Sequence, residues 1–212
     1  MHSRVLIVAG GASPGSSKLK EWAARYDGII AADSGLDTLI EAGIEADHVT
    51  GDFDSISSEA LRQLTPDRKT ANPEQDTTDL EKAILMALDL GATVIGLACS
   101  TGSRLDHSIN AVSMILRYHR QANFVIHDEC GEATLLLAPG PKLDDPVGTR
   151  ISLIPAPEAI EVHTANLRYP LCGIDLRLGG RDGISNEITA TPAEIKLSSG
   201  ALLVYRQSNA DG

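Results

Sequence analysis

Thr93-Val94-Ile95-Gly96-Leu97-Ala98 is an unbroken apolar run, and directly behind it come Cys99-Ser100-Thr101-Gly102-Ser103-Arg104 and a helical pattern from Asp106 to about Arg120. An apolar run without alternation is the pattern of a strand buried on both faces, which needs cover on both sides. The same unit recurs upstream. Val5 to Ala9 predicts a strand ending at Gly10-Gly11, with a helix over Leu19 to Tyr26; Gly28 to Ala32 predicts a second strand, with a helix over Leu36 to Ala42 that stops at Gly43. A strand around His48-Val49-Thr50 runs straight into Gly51-Asp52-Phe53-Asp54-Ser55. Helices over Ser58–Leu64 and Thr78–Leu90 and a strand at Phe124-Val125-Ile126 complete the pattern. The fold class predicted is α/β: a mostly parallel, Rossmann-like sheet with helices on both faces.

From about Ala138 the texture changes. Pro139, Gly140, Pro141, Asp144, Asp145, Pro146 and Gly148 read as a linker, and no long helical period returns. Short runs follow at hairpin spacing: Arg150–Ile154, Ala159–Val162, Ile174–Leu178, Glu187–Ala190, Glu194–Leu197 and Leu202–Tyr205. They predict a small all-β sandwich or barrel domain over 139–212, behind an α/β domain over 1–138.

The 212 residues carry a formal charge of -11 and no Lys/Arg run, which argues against a nucleic-acid backbone or an anionic membrane as partner. Cys99, Cys130 and Cys172 are scattered, with no zinc-type spacing, and read as reduced thiols of a cytoplasmic protein. Val5–Ala9 is too brief for a signal core, and no stretch approaches a membrane span.

Each polar cluster of the first domain follows an apolar run, so Gly10-Gly11, Asp33-Ser34-Gly35, Gly51–Ser55 and Thr101–Asp106 are expected to converge at the carboxyl ends of the strands, where open α/β sheets bind ligands. Crowded carboxylates repel one another unless a cation joins them, and magnesium carrying a nucleotide is the expected cation. Single residues keep local readings beside this one. Asp52 or Asp54 either caps the next helix or binds the ion. Asp79 stands in the first helical turn of Thr78-Asp79-Leu80-Glu81, a capping-box pattern. Asp76 and Gln75 precede that helix, Gln75 offering an amide or lying on loop surface. Thr101-Gly102-Ser103-Arg104 sits where backbone amides and a guanidinium receive phosphate, and it lacks the spacing of a Walker loop. Asp106 either caps the following helix or faces the site, as His107 either faces the site or solvent.

Ala32-Asp33-Ser34-Gly35, Gly51-Asp52-Phe53-Asp54-Ser55, Gln75-Asp76-Thr77-Thr78-Asp79-Leu80 and Thr101-Gly102-Ser103-Arg104-Leu105-Asp106-His107, in this order, resemble the thiamine pyrophosphokinase (thiamine diphosphokinase) family. Leu167-Arg168-Tyr169-Pro170-Leu171, Gly183-Ile184-Ser185-Asn186 and Leu202-Leu203-Val204 extend the resemblance over nearly the whole chain. It implies transfer of the pyrophosphoryl group of ATP to the hydroxyl of thiamine, giving thiamine diphosphate and AMP, in a homodimer with thiamine between one subunit's nucleotide domain and the other's β domain. By position, it implies that Asp52, Asp54 and Asp79 hold magnesium and triphosphate, and that Asp76 joins them as a catalytic residue. Asp33, Ser34, Gly51, Thr101, Gly102, Ser103, Arg104 and Asp106 would line the nucleotide, and Gln75, Ser185 and Asn186 would face thiamine. Asp54 or Asp79 is the expected acceptor of the hydroxyl proton. Asn166 departs from the family, which commonly has glycine there; asparagine tolerates the left-handed conformation that such a glycine supplies. A pyrophosphokinase acting on a hydroxymethyl pterin, a metal-dependent phosphohydrolase and a non-catalytic nucleotide sensor are the alternative readings of the same carboxylates.

Overall fold

The computed structural model describes residues 2–53, 56–63, 69–71 and 76–208. The chain divides into two compact units, Met1–Glu129 and Cys130–Gly212. The fold is α/β, with helices in the first unit and, among the described residues of the second, strands alone.

The first unit runs β1 (Arg4–Val8), α1 (Ser16–Ala23), β2 (Gly28–Ala32), α2 (Gly35–Glu41), β3 (His48–Gly51), α3 (Ser58–Gln63), β4 (Lys69–Ala71), α4 (Asp79–Asp89), β5 (Val94–Ala98), α5 (Leu105–Tyr118) and β6 (Asn123–Asp128). Its strands lie in the order β4-β3-β2-β1-β5-β6, and every pair is parallel. Val5, Leu6, Ile7 and Val8 are all buried, as are Ile95, Leu97 and Ala98, in keeping with runs that have no polar face. Leu19 and Trp22 of α1 and Leu36 and Leu39 of α2 join Leu6, Val8 and Val49 in one apolar cluster. The chain winds outward from β1 to β4, then returns to lay β5 on the other side of β1. That reversal opens a crevice beyond the carboxyl ends of β1 and β5, the place where such sheets take ligands.

The second unit comprises β7 (Gly131–Leu137), β8 (Lys142–Leu143), β9 (Arg150–Ala165), β10 (Cys172–Arg177), β11 (Gly183–Glu187), β12 (Ala193–Lys196) and β13 (Ser199–Gln207). All its pairings are antiparallel, in the order β7-β13-β9-β12-β8, with β10 and β11 also on β9. The composition break at 138/139 falls one strand after the division between units, because β7 pairs along its whole length with β13. β9 is one 16-residue strand where the apolar pattern predicts two. Pro155 and Pro157 interrupt that pattern, and the ladder absorbs Pro155 beside a register shift between Gly200 and Leu202 of β13. The core of the unit gathers Ile151, Leu153, Leu176, Ile195, Leu202 and Val204, each buried. No helix among the described residues is long and apolar enough to cross a membrane.

Candidate functional site

The first unit holds a cleft of about 660 Å³ at the carboxyl ends of its strands. Ala9-Gly10-Gly11 beyond β1, Asp33-Ser34 beyond β2 and Cys99-Ser100 beyond β5 form one wall; Thr78, Asp79 and Leu80 at the start of α4 and Ser103, Arg104, Asp106, His107 and Asn110 around the start of α5 form the rest. The loops after β1 and β5 are joined main chain to main chain, Gly11 N donating to Cys99 O at 2.7 Å and Ala12 N to Thr101 O at 3.2 Å. A side chain at Gly11 would run into the Cys99 carbonyl, so this approach requires glycine.

Just beyond the ends of β2, β3 and β5 stand non-glycine residues with left-handed backbone: Asp33 at φ 48°, Phe53 at φ 65° and Cys99 at φ 53°. Such conformations cost about 1–3 kcal/mol each and persist where the surroundings hold them, commonly at functional sites. Asp33 is held by its own N–H, which donates to Thr50 O at 2.9 Å, and its side chain is buried. The turn directs its carboxylate to those of Asp52 and Asp79: one oxygen from each lies within 4.8 Å of the other two. Asp33 is thus a member of the carboxylate cluster, beyond the nucleotide-lining place implied for it by resemblance. Asp54 and Gln75 lie outside the described residues, and Asp76 is exposed.

The helix caps separate local from site roles. Ser57 Oγ accepts from Ala60 N at 3.2 Å and so caps α3, a task that does not fall to Asp52. Thr78 caps α4, its Oγ1 accepting from Glu81 N at 3.3 Å, which leaves Asp79 to the cluster. The capping box is half made: the Glu81 carboxylate turns to α5 and accepts from Arg117 Nη1 at 2.5 Å and Tyr118 Oη at 2.6 Å. Asn110 Nδ2 of α5 also donates to Thr78 Oγ1 at 3.3 Å. The start of α4 is therefore tied to α5 at two points, Asn110 and the Arg117-Tyr118 pair. Asp106 is not a helix cap; Arg104 Nε and Nη2 donate to its two oxygens at 3.1 and 2.5 Å. This fork holds the Asp106 carboxyl below the usual carboxylate range and raises Arg104. Burial pushes the Cys99 thiol up to about 11, so it lines the cleft as a neutral group and not as a nucleophile.

Of the other expected nucleotide contacts, Ser34 and Ser103 line the cleft, and Gly51 packs against Asp33. Thr101 Oγ1 donates to Asp128 Oδ2 at 3.3 Å, and Gly102 takes a φ of 86° beside it. Asn110 was not legible as a cleft residue, since a mid-helix asparagine carries no pattern of its own; Ser100 and Thr78 stand within the polar segments read from the sequence but had no site role of their own there.

In the second unit, Ser185 is exposed with φ 59°, and its N–H donates to Ser152 Oγ at 3.0 Å. Asn186 is buried; its Oδ1 accepts from Tyr169 N at 3.0 Å and Glu187 N at 2.9 Å, and its Nδ2 donates to Tyr169 O at 2.7 Å. The amide of Asn186 thus fixes the Leu167–Leu171 segment from behind. Asn166 takes φ 63°, so it does supply the left-handed turn for which glycine is the usual residue.

Three hard carboxylate donors, one buried, one half-buried and one exposed, fit an oxygen-seeking divalent ion such as magnesium and offer nothing to a thiophilic metal. A family model described as "Thiamin pyrophosphokinase, catalytic domain" matches residues 19–126, and one described as "Thiamin pyrophosphokinase, vitamin B1 binding domain" matches residues 141–202. A thiamine pyrophosphokinase of Bacillus subtilis is 29% identical over 210 residues, covering 96% of this chain and 98% of that one. A crystal structure of thiamine pyrophosphokinase from Bacillus subtilis superposes with a TM-score of 0.85 at 27% identity, over 97% of this chain and 99% of that one. The structure of a thiamin pyrophosphokinase from Geobacillus thermodenitrificans gives a TM-score of 0.81 at 29% identity, over 98% and 99% of the two chains. Family models of one kind thus match both parts of the chain, residues 19–126 and 141–202, and the chain belongs to the thiamin pyrophosphokinase family.

Proposed function

We propose that this protein transfers the pyrophosphoryl group of ATP to the hydroxyl of thiamine, releasing AMP and thiamine diphosphate. The observation that carries the reading is the meeting of Asp33, Asp52 and Asp79 at the crevice where the strand order reverses, with Arg104 on the same cleft. Attack of a primary alcohol on the β-phosphorus needs alignment and charge neutralisation more than covalent help from protein. Asp33, Asp52 and Asp79 would hold magnesium, joined on the family resemblance by Asp54, with Asp76 nearby as a catalytic residue. When bound, the ion supplies charge neutralisation and alignment of the phosphates. Arg104 offers a planar donor pair to phosphate once it leaves Asp106, and Gly102 and Ser103 at the start of α5 offer a path close to the main chain. Gln75, Ser185 and Asn186 belong to the thiamine side; for Asn186 the support is indirect, through the Tyr169 segment it fixes.

The finer fold reading belongs to the same proposal: a Rossmann-like ATP and magnesium domain followed by a small all-β thiamine-binding domain, supported by parallel pairing in the first unit and antiparallel pairing in the second. A homodimer with its sites at the subunit interface and a cytoplasmic location rest on the family resemblance alone, and light scattering on the purified chain tests the dimer. The function is tested by following AMP with thiamine, ATP and magnesium each omitted in turn. AMP formed only with all three supports it; AMP formed with a hydroxymethyl pterin in place of thiamine, or phosphate released without any acceptor, overturns it.

A further inference from the structure

We propose that Lys82 is a positioning residue that holds the Asp79 carboxylate in the cation-binding cluster. Lys82 lies one turn after Asp79 on α4, and its side chain is 5% exposed. Lysine is almost never this deeply buried unless paired, because an ammonium withdrawn from water loses its hydration. Its Nζ donates to Asp79 Oδ1 at 3.0 Å, the one polar contact it makes among the described residues. Asp79 is one-third exposed and would otherwise choose among several rotamers at a helix start. Lys82 itself does not reach the cleft, which Asp79 and Leu80 line. Its effect therefore passes through Asp79 and not through contact with nucleotide.

Two features distinguish this from an ordinary pair at i and i+3 on a helix. Such pairs contribute little at the surface because both ends remain solvated; here the cationic end is buried and has no alternative in water. The pair also engages only one oxygen of Asp79, while an oxygen of the same carboxylate lies within 4.8 Å of Asp33 and Asp52. An ammonium behind the carboxylate also offsets the repulsion among the three anions. Partners of this kind, standing behind a ligand, commonly change cation affinity about 10- to 100-fold when removed.

The inference rests on the metal reading of Asp79 given above, and the experiment separates the two. Manganese binding to the full-length protein is followed by electron paramagnetic resonance in wild type, Lys82→Met, Asp79→Asn and the double variant, with melting temperatures in chelator as a control on folding. Lys82→Met is expected to weaken manganese binding about tenfold and to raise the magnesium needed for half-maximal rate by a similar factor, with the thiamine KM within about twofold of wild type. In the Asp79→Asn background the same lysine change is expected to have no further effect on manganese. Should Lys82→Met fail to fold, Lys82→Gln carries the same measurements and the same outcomes. Unchanged manganese affinity in a folded lysine variant, or a loss of equal size in both backgrounds, overturns the role of Lys82. Unchanged affinity in Asp79→Asn overturns the metal reading and the lysine inference together.

Discussion

The end of β2 and the strand β11 both place a polar side chain at or beside a residue with left-handed backbone, and they use it in opposite ways. At β2, Asp33 turns its carboxylate to two other carboxylates from separate segments. At β11, Asn186 follows the left-handed Ser185 and closes its amide on the main chain of Tyr169 and Glu187. The first arrangement gathers like charges, which destabilises the chain by itself and becomes favourable with a cation. The second satisfies buried polar groups within the protein and favours folding outright. One backbone device therefore serves binding in one unit and architecture in the other.

The sharpest way to break this contrast is to remove the charge at β2 while keeping the turn. Asparagine accepts the left-handed conformation, so Asp33→Asn is expected to lower AMP formation at least about 100-fold, near 2.7 kcal/mol of barrier, with the melting temperature little changed. A variant that melts early while its residual activity stays high would assign Asp33 to architecture instead. Asn186→Ala should do the reverse. Losing three hydrogen bonds around a buried amide is expected to destabilise the fold by about 2–3 kcal/mol, lowering the melting temperature by about 4–12 °C in calorimetry. ATP binding should persist in that variant.

Glu81 lies between these cases, since it is buried as Asn186 is but stands one turn from the cluster. Glu81→Gln is expected to destabilise the fold by about 1–2 kcal/mol in denaturant unfolding, because Arg117 and Tyr118 lose a charged acceptor. Burial, with Glu81 adding to it, holds the Tyr118 phenol above its ordinary range, and ultraviolet titration of the variant should show that group moving down. The smallest effect is expected at Arg104 and Asp106, both exposed. The Asp106 carboxyl is depressed in the folded state, so the pair is intact above the ordinary carboxylate value and is lost only as pH falls through the lower folded value. Carboxyl NMR should give Asp106 a midpoint below the usual aspartate range, rising in Arg104→Ala.

Much of the first unit was legible because β1, β2 and β5 are apolar runs with glycine or a polar cluster at each carboxyl end, and those ends do line the cleft. The strand β4, Lys69–Ala71, was not, since three residues carry no period. In the second unit, Pro155 and Pro157 hid the continuity of β9, and no element was read over β7, whose residues were counted in the 1–138 domain. Within the site, the strand pattern put the Asp33 and Asp52 segments at one sheet edge and the resemblance added Asp79, but neither could show that the Asp33 carboxylate joins the other two, which depends on a φ of 48° that no residue type announces. Lys82 escaped for a related reason: a lysine on an amphipathic helix reads as solvated surface, and only the packing of α4 shows it buried.

The environment of Cys99 has a practical consequence for following this protein in solution. Its thiol is enclosed in the cleft wall and stays protonated far above neutral pH, whereas Cys130 and Cys172 are exposed, both in the second unit. Maleimide chemistry at neutral pH therefore has two accessible handles in the β-rich unit, and a fluorophore can be placed there while the carboxylate cleft stays chemically untouched.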